Sequence, residues 1–186
     1  MEKVIENKIK IIKLAVDYYQ LLEVLKYIEC GNQLKVKTIN KEIGWYDDGQ
    51  LLRRENYTNS KLNGLCEWWY YNGQSWKREN YNNEGKLNGL SEWWYANGQI
   101  CTRQNYTEDK LNGPYEKWHY NGQIWIKTNY TEDKLNGLDE WWYNNGQLYQ
   151  RQKYTEGKLN GLSEVWNRDG QLLITINYTD NIELTQ

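Results

Sequence analysis

The residue types that carry enzymatic or metal chemistry are few in this sequence, and those present recur instead of converging. His119 is the only histidine. It stands where sister segments carry Tyr70, Tyr95 and Tyr143, so it reads as a substituted packing residue and not as a base or ligand. The acids come in copies: Glu67, Glu92 and Glu140 each precede Trp-Trp-Tyr. Catalysis needs an acid, base or nucleophile placed once, in a pocket, and a repeated Glu points to strand pairing instead. Glu108-Asp109 and Glu132-Asp133 have the composition of calcium ligands, but two adjacent acids on a hairpin tip make a solvated turn. Cys30, Cys66 and Cys101 are odd in number and lack metal-ligand spacing, and read as reduced thiols. The glycines follow turns and open no helix, so no phosphate cradle is implied. Asn-Tyr-Thr at Asn56, Asn105, Asn129 and Asn177 matches the glycosylation acceptor pattern. Lys8, Lys10 and Lys13 interrupt what would be a secretory apolar region, so that pattern reads as repeat consensus. The expectation is a chain with no catalytic, metal or cofactor site.

What positions these residues is a repeat. An Asn/Asp-Gly-Gln turn recurs at Gly49, Gly73, Gly98, Gly122, Gly146 and Gly170, at intervals of 24 or 25 residues. Lys-Leu-Asn-Gly recurs in between, ending at Gly64, Gly89, Gly113, Gly137 and Gly161. A fixed period of this kind marks an array whose units bury their apolar faces on one another. In the copy from Leu90 to Gly113, two runs rich in Trp, Tyr and Ile flank Asn97-Gly98, a strong hairpin signal. The second run ends at a Tyr found in every copy: Tyr57, Tyr81, Tyr106, Tyr130, Tyr154 and Tyr178. The predicted fold is mostly β, an elongated and twisted antiparallel meander of repeated β-hairpins, with an N-terminal α-helix.

Two registers compete for the hairpin. A two-residue Asn-Gly loop sets Glu67 opposite Arg78, Glu92 opposite Arg103, Glu116 opposite Lys127 and Glu140 opposite Arg151, each pair worth about 0.2–1 kcal/mol. A three-residue loop closed by a Gly bulge instead gathers Trp45, Trp69, Trp94, Trp118, Trp142 and Trp166 with the Leu or Ile after the turn and the terminal Tyr. Burying a Trp and a Leu outweighs one ion pair, which favours the bulged register. The other face then carries a second aromatic ladder: Trp68 and Tyr70, Trp93 and Tyr95, Lys117 and His119, Trp141 and Tyr143, Val165 and Asn167. Its changing members suggest exposure.

The ends differ from the array. Residues 3–29 show apolar stripes at three-to-four spacing, such as Ile5, Ile9, Ile12, Val16 and Tyr19, and predict a helix. As a cap it would block an open sheet edge; docking or dimerisation is its alternative use. Residues 34–39 alternate and predict a first strand, and the tail after Tyr178 has no pattern and should fray. The expected organisation is a helical cap or docking segment over 1–33, the array over 34–180 and a tail over 181–186. Net charge is −2, with eleven Trp, seventeen Tyr and no Phe. That balance gives no grip on nucleic acid and disfavours a membrane surface. No run approaches the roughly 20 apolar residues of a bilayer span, so the expected setting is the cytoplasm.

Trp69-Tyr70-Tyr71-Asn72-Gly73-Gln74 and Tyr154-Thr155-Glu156-Gly157-Lys158-Leu159-Asn160-Gly161 resemble the MORN repeat in its variant form, over residues 42–180. The resemblance implies an elongated hairpin meander serving as a protein-interaction or scaffolding module, in some members linked to membranes. Related variants occur in bacterial proteins labelled antitoxins and in large DNA viruses of protists, and for a viral chain the resemblance implies the host cytoplasm. The leading functional reading is a non-catalytic scaffold for a protein partner. Its contact strip would be Trp68, Tyr70, Trp93, Tyr95, Trp141 and Tyr143 with the flanking bases Arg54, Arg78, Arg103 and Arg151, residue types that dominate interfaces. The alternatives are an architectural spacer, self-assembling through the helix or the sheet edges, and a repeat module that cages a small ligand or glycan between aromatics.

Overall fold

The computed structural model describes residues 26–30, 33–37 and 40–184. It divides at Lys86 into two compact units. The first holds β1 (Lys26–Cys30), β2 (Gln33–Lys37), β3 (Lys41–Tyr46), β4 (Leu51–Thr58), β5 (Lys61–Leu62), β6 (Gly64–Trp69) and β7 (Ser75–Tyr81). The second holds β8 (Gly89–Trp94), β9 (Ile100–Thr107), β10 (Lys110–Trp118), β11 (Ile124–Thr131), β12 (Lys134–Leu135), β13 (Gly137–Trp142), β14 (Leu148–Thr155), β15 (Lys158–Leu159), β16 (Gly161–Trp166), β17 (Leu172–Thr179) and β18 (Ile182–Glu183). The pairings within each unit are antiparallel, either between consecutive strands, as β3 with β4 and β13 with β14, or across one two-residue strand, as β4 with β6, β11 with β13 and β14 with β16. Each unit is therefore a meander, as the period requires.

The N-terminal helix is corrected. Lys26–Cys30, inside the segment expected to be helical, is a strand that pairs with β2 from Lys26↔Lys37 to Cys30↔Gln33. Residues 1–25, which carry the rest of that expectation, lie outside the described residues, and no helix occurs among those described. The pairing of β1 with β2 overrides a local apolar period of 3.6. The strand expected over 34–39 is β2 over Gln33–Lys37, residues 38–39 lying outside the described residues. In the tail, Ile182–Glu183 pairs with Tyr178–Thr179.

The hairpin uses both registers at once. In the copy of β8 and β9, the Tyr95 N–H donates to the Gln99 carbonyl (2.8 Å) and the Gly98 N–H to the Tyr95 carbonyl (2.9 Å). Gly98 sits at φ 83°, the left-handed position of a type I turn closed by a Gly bulge. That is the three-residue loop. Trp94 then faces Ile100, but Trp93 faces Thr102 and Glu92 faces Arg103. Cys101 is the extra residue of a second bulge, and it restores the ion-pair register beyond it. The same shift occurs at Leu52, Trp76, Trp125, Tyr149 and Leu173. Because side chains alternate along a strand, the second bulge puts Tyr106 on the face of Trp93 and not that of Trp94.

Consecutive repeats are stitched at both rows of turns. The Glu108-Asp109, Glu132-Asp133 and Asp180-Asn181 tips have positive φ at both residues, the primed two-residue loop. Asp109 Oδ1 accepts from the Leu87 N–H at 2.7 Å while its own N–H donates to the Leu87 carbonyl at 2.9 Å. Asp133 treats Leu111, and Asn181 Leu159, in the same way. At the other row, Asn121 Nδ2 donates to the Asn144 carbonyl (2.8 Å) and Asn145 Nδ2 to the Arg168 carbonyl (3.0 Å). The acid pairs thus position turns. Among described residues the buried apolar side chains are only Ile43, Cys66 and Ile126, so half-buried aromatics and side-chain ladders hold these sheets.

Candidate interaction faces

Alternation through the registers sorts the side chains of each unit onto two faces. One face carries Glu67, Glu92, Glu116 and Glu140 with the bases opposite them and the Trp nearest each turn. In the first unit Glu67 is 7% exposed and lies between Arg54 and Arg78, 3.4 Å from the latter. In the second, Arg103 Nε donates to Glu92 at 3.0 Å and reaches Glu116 at 3.8 Å, and Arg151 Nε donates to Glu140 at 2.8 Å. The guanidinium groups also lie over the Trp of the following repeat: Arg54 over Trp69 (5.8 Å), Arg103 over Trp118 (5.7 Å) and Arg151 over Trp166 (5.8 Å). Each of these arginines therefore bridges two repeats by charge and by contact with a ring.

The opposite face is aromatic above a polar floor. In the first unit Glu55 accepts from the Tyr57 hydroxyl (2.9 Å) and from Trp68 Nε1 (3.2 Å). Glu79, 5% exposed, accepts from the Tyr81 hydroxyl (2.6 Å) and pairs with Lys77 (3.0 Å). Burial, followed by those carboxylate bonds, pushes the Tyr57 and Tyr81 hydroxyls far up. Cys66, facing Glu79 across the strands, is fully buried, and burial pushes its thiol up to about 11. In the second unit the floor is Asp139, Thr128, Gln152 and Ser163. Asp139 accepts from Trp141 Nε1 (2.8 Å), and its burial raises the carboxyl against the lowering effect of its Trp141 and Thr128 bonds.

Above the floor run the predicted rings. Trp68 and Tyr70 stand on this face in the first unit, and Trp93, Tyr95, Trp141 and Tyr143 in the second, all half-buried. Arg54 and Arg78, and likewise Arg103 and Arg151, stand on the other face. The structure separates by a full sheet thickness what the sequence reading joined in one strip. The tyrosines also have an internal duty. The hydroxyls of Tyr46, Tyr95 and Tyr143 donate to the carbonyls of Trp69 (2.8 Å), Trp118 (2.8 Å) and Trp166 (3.0 Å) in the next repeat. Burial, then a bond with Cys101, pushes Tyr95 up to about 12.

Sequence reasoning missed the bulge residues. Trp76 lies 6.1 Å from Tyr70, Trp125 stacks on His119 at 5.3 Å and meets Trp141 edge-on at 6.4 Å, and Tyr149 lies 5.1 Å from Tyr143. These rings widen the aromatic face, with Trp76 37% and Tyr149 39% exposed, and at the turns the more exposed Tyr71 and Tyr120 meet Tyr46 and Tyr95 edge-on, each at 5.1 Å. A partial signal exists: after every turn but the one at Gly73, where Ser75 precedes Trp76, two consecutive apolar residues break strict alternation, without saying which of them is the extra one. Lys77 lies 3.9 Å above Trp68 and Lys117 4.4 Å above Trp125. Among the described residues no group of three or more His, Cys, Asp or Glu stands where it could hold a metal ion.

A family model described as MORN repeat variant matches residues 40–59, 62–83, 87–108, 111–132 and 135–156, more than half of the chain. No curated protein matches it.

Proposed function

We propose that this chain, which belongs to the MORN repeat variant family, is a non-catalytic scaffold that holds a protein partner against its aromatic face. MORN repeats generally take part in protein or membrane-lipid interactions and are generally non-catalytic. One observation carries the choice of face: Trp and Tyr rings recur in register on one side of each unit, with Trp76 and Tyr149 more than one-third exposed. Such rings offer large contact area at low entropic cost and dominate interface energetics. The arginines on the other side are engaged with Glu67, Glu92 and Glu140 and hold the sheet together. The ring faces that a cationic ligand would need are covered at Trp68 and Trp125 by Lys77 and Lys117, which argues against a ligand cage. A net charge of −2 argues against an anionic lipid surface. A reducing compartment such as the cytoplasm suits the sealed Cys66 thiol.

Affinity capture from native lysate tests the reading, using wild type, a Trp76→Ala/Tyr149→Ala variant and an Arg103→Ala/Arg151→Ala variant, each checked for fold by circular dichroism. A partner held by wild type and lost from the aromatic variant alone is the expected result. Loss from the arginine variant alone would move the function to the other face. If wild type holds nothing specific, the array is an architectural element.

A further inference from the structure

We propose that Lys117 is the specificity-determining residue of the aromatic face and takes an acidic side chain, Asp or Glu, from the protein partner. This rests on the reading that a partner lies against that face. Residues that bind one particular group must break the period, and on this face the breaks fall together in one repeat. Lys117 stands where Trp68, Trp93 and Trp141 stand in their copies, His119 replaces a Tyr, and Tyr115 replaces Cys66, Ser91, Asp139 or Ser163. Thr102 and Ile126 face Lys117 across the strands on either side, and Trp93 and Trp141 face these in turn. The base therefore stands in one row with an indole two strands away in each direction, at about 10 Å.

The first unit shows the group that this arrangement lacks. Lys77 lies 3.9 Å above Trp68, and Glu79, two residues along its strand, meets its charge at 3.0 Å. Lys35, Lys37 and Arg53, on the same face, share Glu42. Lys117 repeats the ring contact, 4.4 Å above Trp125, without the carboxylate. Two residues away on its own strand are Tyr115 and His119, and across the strands are Thr102 and Ile126. Among the described residues no acid forms an ion pair with it. Asp139, on this face, bonds Trp141 Nε1 and Thr128 instead. Lys117 is half-buried, and a half-buried charge costs free energy unless it is paired. The partner then supplies to Lys117 the group that Glu79 supplies to Lys77. One ammonium matches one carboxylate, whereas a phosphate dianion would leave charge uncompensated. The rings of Trp93 and Trp141 give apolar neighbours of that acid a surface to rest on.

A random peptide library displayed on phage and panned against the whole chain tests this. Selected peptides are measured by fluorescence anisotropy on wild type, Lys117→Met, Lys117→Arg and Trp141→Ala, each of unchanged circular dichroism. The expected peptides carry Asp or Glu beside an apolar residue. Their affinity should fall about tenfold on Lys117→Met, as for a charge-assisted bond, and recover on Lys117→Arg. Replacing the peptide's acid by its amide should cost as much on wild type and nothing further on Lys117→Met. Acidic peptides indifferent to Lys117→Met overturn the proposal. So do peptides that lose affinity on Trp141→Ala but carry no acid, an outcome that leaves the aromatic face as the contact. Peptides indifferent to both substitutions, or a library that yields none, overturn the proposal and count against the face as well.

Discussion

His119 Nε2 lies 3.0 Å from the Trp142 carbonyl oxygen, in the place where Tyr95 and Tyr143 set a hydroxyl on the carbonyls of Trp118 and Trp166. The imidazole reproduces the reach of a phenol and keeps the rung between repeats, while its face stacks on Trp125 at 5.3 Å. His119→Tyr should therefore leave stability unchanged or raise it. His119→Phe keeps the ring contact and loses the rung, at a cost of about 1 kcal/mol. Urea unfolding of the three proteins checks this, and a Phe variant as stable as wild type would remove the rung from the account.

Two buried acids should give opposite pH signatures. Burial raises Asp139, which has no base beside it. Its ionisation near neutrality opposes folding, because the folded state holds the proton more tightly than the unfolded chain. Asp139→Asn should raise the melting temperature at pH 7, and the gain should fade as pH falls below the ordinary carboxyl value of 3.8. Burial also acts to raise Glu42, but Arg53, Lys35 and Lys37 outweigh it and its carboxyl is lowered. Its contribution is present above the ordinary carboxyl value of 4.5 and is lost as pH falls through the lowered one. Glu42→Gln should be costly at pH 7 and nearly neutral in strong acid. Melting temperature against pH for both variants is the measurement, and a shared sign would refute the assignment.

The meander, the turns and the Glu–base ladder were legible in the sequence because each depends on neighbours in the chain and recurs in every copy. Asn97-Gly98 names its turn, and Glu92 with Arg103 names its register. What was not legible is the parity of the faces. A single bulge at Cys101 exchanges inward and outward for every residue beyond it, and alternation alone cannot say where the extra residue sits. That one step moved the terminal tyrosines to the other face and separated Arg103 from Trp93. The strand at Lys26–Cys30 was hidden for a different reason: Ile28 fits an apolar stripe of helical period as well as it fits a strand, and the pairing that decides is with Lys35.

Cys66 should be inert in the folded protein. It is fully buried, and burial holds its thiol at about 11, so neither access nor thiolate is available at neutral pH. A thiol reagent at pH 7 should modify Cys66 at the rate of unfolding and the half-buried Cys101 faster. Ser91 and Ser163 occupy the corresponding place in their copies and are equally buried, so Cys66→Ser should cost no more than about 1 kcal/mol. Mass spectrometry of modified peptides over time reads the two rates, and prompt labelling of Cys66 would contradict its burial.

Thr175 faces Glu164 where earlier copies place a base, and this gives one substitution a salt-dependent effect. Thr175→Arg would complete the hairpin pair, and Glu164 would then stand between Arg151 on one side and the new guanidinium on the other, as Glu67 stands between Arg54 and Arg78. A facing pair of opposite charge is worth about 0.2–1 kcal/mol, and exposed pairs are screened by salt. The variant should thus melt slightly higher than wild type at low salt and equal to it at high salt. Melting curves at two salt concentrations check this. A gain that persists undiminished at high salt would remove the Glu164 ion pair from the account.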